Sequence, residues 1–89
     1  MRAARTIVFA ASAAKEFDAL EAAVRARVER ALDQLALNPL NLRNQIKRLK
    51  GYPALRLRVG DWRIIFRFRG DEIIVLAIGH RREAYRSEQ

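Results

Sequence analysis

The 89-residue chain is 51% hydrophobic and 31% charged, with a formal net charge of +8 and a pI near 11.3. That length allows one domain, residues 1–89, with a single two-layer core, and the apolar share excludes a disordered chain. With no cysteine and His80 as its one histidine, the sequence excludes disulfides and cysteine zinc sites and argues against any metal centre built from protein ligands.

The N-terminal MRAARTIVFAASAA imitates a signal peptide, with basic residues, a short apolar run and an Ala11-Ser12-Ala13 triplet. Its apolar part, TIVFAA, falls short of the roughly 7–15 residues such a signal needs. We read it as a strand over residues 5–10 entering a helix, with Ser12 as the helix N-cap. No segment reaches membrane-spanning length, so no membrane partner is expected and a cytoplasmic location is.

From Phe17 the apolar positions recur at helical spacing, through Leu20, Val24, Val28, Leu32 and Leu35. Asn38-Pro39 closes the run. A single helix over residues 12–37 would span about 39 Å at 1.5 Å per residue, more than a domain of this size holds. Two helices with a break near residues 20–23 are therefore expected. Residues 40–50, LNLRNQIKRLK, read as a basic connector, and Gly51-Tyr52-Pro53 as a turn.

Three strands follow, at Leu55–Val59, Trp62–Arg69 and residues 72–79, joined by Gly60-Asp61 and Gly70-Asp71. Glycine at the first loop position suits a two-residue type II′ hairpin. Such a loop at Gly60-Asp61 sets Val59 against Trp62, Arg58 against Arg63 and Arg56 against Ile65. Alternation then gathers Leu55, Leu57, Val59, Trp62, Ile64, Phe66 and Phe68 on a core face, and Arg56, Arg58, Arg63, Arg67 and Arg69 on the other. By the same rule the last strand sends Ile73, Val75 and Ala77 to the core face, and Glu72, Ile74, Leu76 and Ile78 to the arginine face, which His80 would continue. A strand apolar on both faces is either central or docked against a partner.

The charge is uneven: residues 1–42 hold six Lys/Arg against five Asp/Glu, net +1, and residues 43–89 hold twelve against five, net +7. The second half carries the field, which points to an anionic partner such as nucleic acid or an acidic protein. Like charges paired across a sheet destabilise it, and such conflicts collect at functional sites. Guanidinium forks on a rigid sheet grip phosphate or carboxylate bidentately. The plainer reading is that the arginine stems cover a strand face while their heads sit in water.

The stretches Lys47-Arg48-Leu49-Lys50-Gly51-Tyr52-Pro53, LRLRVGDWRIIF and VLAIGHRREAY resemble the RelE/ParE superfamily of bacterial toxins, in particular its RelE-like branch, over nearly the whole chain. The resemblance implies an α+β fold: an N-terminal strand, a helical hairpin and a three-stranded antiparallel meander, helices on sheet. It implies the toxin of a type II toxin–antitoxin system. Such a toxin is a ribosome-dependent endoribonuclease, an mRNA interferase. It needs no metal or cofactor, and it cleaves mRNA in the ribosomal A site by 2′-hydroxyl attack on the phosphate. Its partners would be a cognate antitoxin, in a hetero-oligomer, and the ribosome with its mRNA.

By position, Arg63 and Arg81 fall on phosphate-contacting arginines of that family and Tyr85 on its catalytic tyrosine. Arg56 and Arg58 fall where it has basic residues, often lysines, and His80 in a slot that is basic in some members. Lys47, Arg48 and Lys50 would grip nucleic-acid backbone. Arginine stays protonated, so Arg56 and Arg58 can hold charge but are poor general bases. Proton transfer would then fall to Tyr85 or His80. Two rival readings share the charge pattern: a ParE-like inhibitor of DNA gyrase on the same fold, and a non-catalytic basic nucleic-acid-binding module.

Overall fold

Thr6–Phe9, a β-branched stretch with an aromatic end, forms strand β1. The helices α1, Ala11–Asp18, and α2, Ala22–Leu37, follow it, and then a 3-10 helix over Pro39–Gln45. Strands β2, Ile46–Arg48, β3, Leu55–Val59, β4, Trp62–Arg69, and β5, Glu72–His80, complete the chain. This is a computed structural model, and it describes residues 4–81. The strands make one sheet in the order β1-β5-β4-β3-β2. β1 runs parallel to β5, and the other neighbours are antiparallel. The expected α+β architecture holds, with one strand more than the meander. β5 is apolar on both faces because it is central, between β1 and β4.

The break between the helices covers residues 19–21, at the start of the expected window. Leu20 N–H turns back to the Phe17 carbonyl at 3.1 Å. Arg25 Nη1 donates to the carbonyls of Asp18, 3.3 Å, and Leu20, 3.2 Å. A cation there satisfies orphan acceptors at the negative end of α1. Asn38 ends α2 as expected, and its side chain caps the 3-10 helix by accepting from Leu40 N–H at 3.2 Å. The N-cap of α1 is Ala10, not Ser12, with no side-chain bond. Ala10 N–H still pairs with the Val75 carbonyl of β5 at 2.9 Å, so the helix begins directly where the strand ends and Ser12 falls inside its first turn.

The core lies between the helices and one sheet face. Ala13, Leu20, Val28, Leu32 and Leu35 meet Leu57, Ile64, Phe66, Ile73, Val75 and Ile78. Each fully buried large side chain among these contributes about 1.5–3 kcal/mol from burial.

Two further expectations need correcting. The basic connector is ordered: residues 46–48 pair with the open edge of β3, Lys47 opposite Arg56 and Arg48 opposite Leu55. The register of β4 on β5 follows the predicted pairing from Arg69↔Glu72 to Phe66↔Val75, then slips by one residue, so that Ile65 faces Ala77 and Trp62 faces His80. Leu76 is the extra residue of this bulge. Beyond it every side chain of β5 changes face. Ile78 is therefore core, 4% exposed, and Ala77 moves to the arginine face. His80 leaves that face and meets Trp62 edge-on at 5.5 Å. Past Val75, β5 has no β1 partner, and α1 covers it there. Glu16 Oε1 accepts the Ile78 N–H at 2.8 Å, satisfying a donor that would otherwise be orphaned.

Candidate functional site

The site is built on the Gly60-Asp61 turn. Gly60 has φ +60°, and among the described residues no non-glycine has a positive φ. Asp61 therefore has negative φ, which fits the type II′ turn and excludes type I′. The observed register, Val59↔Trp62, Arg58↔Arg63 and Arg56↔Ile65, is the one alternation required. Next to the closing pair of a two-residue hairpin comes a non-hydrogen-bonded pair, with Cα atoms only about 4.5 Å apart. Arg58 and Arg63 occupy it.

Backbone oxygens of the turn then fix the groups around it. Arg63 Nη1 donates to the Gly60 carbonyl at 2.9 Å and to the Trp62 carbonyl at 3.0 Å. Its remaining N–H groups have no hydrogen-bond partner among the described residues. Arg81 N–H donates to the Asp61 carbonyl at 2.8 Å, holding the residue after β5 against the turn. Gln45, Arg58, Arg63 and Arg81 line an open hollow of 580 Å³ around Gly60 and Asp61. A smaller hollow of 120 Å³ adjoins it, between Asn44, Gln45, Lys47, Arg56, Arg58 and Arg63. Opposite Arg63 on β5 stands Gly79, which presents no side chain. None of Arg58, Arg63 and Arg81 is ion-paired to a described carboxylate. Chemically the arrangement is an array of charged donors in which Arg58, Arg63 and Arg81 have no ion-pair partner among the described residues, suited to a phosphate.

The family model of the ParE toxin of type II toxin–antitoxin systems (parDE) matches residues 7–85. The chain belongs to the RelE/ParE superfamily of type II toxins. Toxin RelE3 of Methanocaldococcus jannaschii is 33% identical over 84 residues, spanning 89% of this chain and 93% of that protein. The RelB–RelE antitoxin–toxin complex from Methanococcus jannaschii contains a chain with TM-score 0.73 and 30% identity, over 90% of this chain and 96% of that one. The archaeal RelE–RelB complex from Pyrococcus horikoshii shares the fold, with TM-score 0.72 at 21% identity, over 89% of this chain and 97% of that one.

In this toxin the described fold brings Arg56, Arg58, Lys47, Arg63 and Arg81 together as the sequence suggested. Arg48 and Lys50 stand apart from them. Arg48 alternates onto the other face, opposite Leu55, and Lys50 sits exposed in the turn after β2. The bulge at Leu76 turns His80 away from Arg63. Tyr85 lies outside the described residues. Two residues of the site escape sequence reasoning. Gln45 lines both hollows, and its Oε1 is buried with no hydrogen-bond partner among the described residues. Arg27 of α2 lays its guanidinium over Gly60: a Cβ placed there would come within 2.5 Å of Arg27 Nη2. Gly60 is thus favoured by its φ, while the Arg27 guanidinium, the far end of a flexible side chain, lies across it from the helix layer.

Proposed function

We propose that this toxin is a ribosome-dependent endoribonuclease that cleaves mRNA in the A site and so inhibits translation. The observation that carries the reading is the convergence of Arg58, Arg63 and Arg81 on one turn without ion-pair partners among the described residues. In this mechanism the 2′-hydroxyl oxygen attacks the adjacent phosphorus and the bond to the 5′-oxygen breaks, leaving a 2′,3′-cyclic phosphate and a free 5′-hydroxyl. Arg63 and Arg81 hold the phosphate oxygens and neutralise the charge that grows on the pentacoordinate phosphorus. Arg56, Arg58 and Lys47 hold the flanking backbone. Tyr85, as its phenolate, takes the 2′-hydroxyl proton, the departing 5′-oxygen takes a proton from water, and His80 is the alternative base; the position of His80 beside Trp62 favours Tyr85. No step calls on a metal or a cofactor.

The relatives solved as antitoxin–toxin complexes support a cognate antitoxin as partner in a hetero-oligomer, and a cytoplasmic setting follows from a ribosomal target. No helix among the described residues is long and apolar enough to cross a membrane. The match to the ParE toxin model favours a second reading, inhibition of DNA gyrase by the same face. Mapping transcript 5′ ends after brief expression separates the two. Cuts inside translated codons are expected, whereas intact transcripts together with DNA breaks would give the function to gyrase.

A further inference from the structure

A second groove lies away from the Gly60 turn, where β4 runs past the first residue of β3. It is bounded by the loop after β2 and the protruding end of β4, with a volume of 470 Å³, and Arg48, Tyr52, Pro53, Arg67 and Phe68 line it. Tyr52 is 52% and Phe68 39% exposed, unusual for two aromatic side chains in so small a core. The Tyr52 loop is a defined turn, with Leu49 N–H on the Ala54 carbonyl at 3.0 Å and Gly51 at φ +82°. The phenol ring is thus carried on a fixed support. Among the described residues no carboxylate lines the groove, and Glu72, at the start of β5, is held by Arg69 at 2.7 Å.

Arg67 shares the sheet face of Arg63, four residues further along β4, about 13 Å at strand rise. The two hollows beside Arg63 and this groove therefore lie along one sheet, with cations at each end. Guanidinium groups beside an open aromatic ring suit a single-stranded nucleic acid, whose phosphates take the charge and whose base stacks on the ring. The volume falls within the range of sites for one small ligand.

We propose that this groove is a second nucleotide subsite of the RNA track: Tyr52 stacks a base of the strand whose scissile phosphate sits on Arg63, and Arg67 holds that nucleotide's phosphate. This deepens the nuclease reading and rests on it. Tyr52 fixes the register of the strand without touching the reacting atoms.

The test is fluorescence anisotropy of the full-length toxin with a labelled 2′-O-methyl hexanucleotide, which cannot be cleaved, over a range of salt. Tyr52→Ala weakens binding by about 5- to 150-fold, as loss of one stacked base does, with no change in salt slope. Tyr52→Phe binds like wild type. Arg67→Gln lowers the slope of log K against log salt by about 0.7, one phosphate contact on a single strand. Thermal melting of each variant shows the fold intact, since both side chains lie outside the core cluster. If Tyr52→Ala binds as wild type while Arg63→Ala does not, the subsite is overturned and the nuclease reading stands. If Arg63→Ala is also without effect, the RNA track itself falls. If Tyr52→Ala leaves the hexanucleotide affinity unchanged but loses the purified cognate antitoxin, the groove is a protein site and the proposal is wrong.

Discussion

The two hairpin turns of the sheet have the same design and opposite surroundings. Each is Gly-Asp, each glycine has a positive φ, +60° at Gly60 and +57° at Gly70, and each stands next to arginine-bearing strands. At Gly70 the charge is settled locally, since Arg69 bonds Glu72 through Nε at 3.1 Å and Nη2 at 2.7 Å. Nothing lies within 4 Å of a Cβ at Gly70. At Gly60 three arginines converge without a described carboxylate partner, and a fourth, Arg27, lies across the glycine. Turn geometry is thus indifferent to function. What marks the Gly60 end is that Arg58, Arg63 and Arg81 are brought together with no ion-pair partner among the described residues, a like-charge conflict of the kind that collects at functional sites.

The largest expected contrast is catalytic. On programmed ribosomes, Arg81→Ala and Tyr85→Phe each lower single-turnover cleavage by at least ~100-fold, the low end of what an oxyanion donor or a general base supplies. A smaller effect of Tyr85→Phe than of His80→Ala would exchange the roles assigned to those two residues.

The glycines give the next contrast. Alanine at either one costs about 1–2 kcal/mol, because an L-residue is strained at that φ, and chemical denaturation should show the two variants alike. Only Gly60→Ala also displaces Arg27 and disturbs the carbonyl that holds Arg63. Cleavage should therefore fall for Gly60→Ala alone, by about tenfold, the value of one lost charge-assisted bond. Equal activities in the two variants would mean that the packing of Arg27 has no bearing on the site.

Smallest are the charge substitutions. Glu72→Gln removes an exposed pair and should cost no more than about 0.5 kcal/mol, decreasing with salt. Arg58→Gln should have the opposite sign: relieving the cross-strand repulsion stabilises the fold by a few tenths of a kcal/mol at low salt, while cleavage declines. A destabilised Arg58→Gln would show that Arg58 and Arg63 do not conflict.

Much of this end of the molecule was legible in the sequence, because glycine at the first loop position and strict alternation together determine a hairpin's register. Arg58 opposite Arg63 followed from those two facts alone. The bulge at Leu76 did not, since no glycine or proline marks it, and a single inserted residue was enough to reverse the faces of Ile78 and His80. Strand β2 was illegible for a different reason. Ile46, Lys47 and Arg48 are too short a stretch to show a period, and pairing with the open edge of β3 defines them. Arg27 looks like any solvated helix arginine until the fold brings α2 over Gly60, and Gln45 has no signal outside its tertiary setting. Local chemistry thus reached the parts of the site on one hairpin, and missed the parts contributed from other layers.

The central claim is that the arginines at the Gly60 turn, and not positive charge at large, hold the scissile phosphate. The most direct test compares Arg63→Ala with Arg69→Ala, two substitutions of equal charge on the same strand, in single-turnover cleavage of a defined mRNA on the ribosome. A loss of at least ~100-fold for Arg63→Ala, with Arg69→Ala within about twofold of wild type as for an exposed ion pair, is the predicted result. Equal losses in the two variants, or none in either, would contradict it.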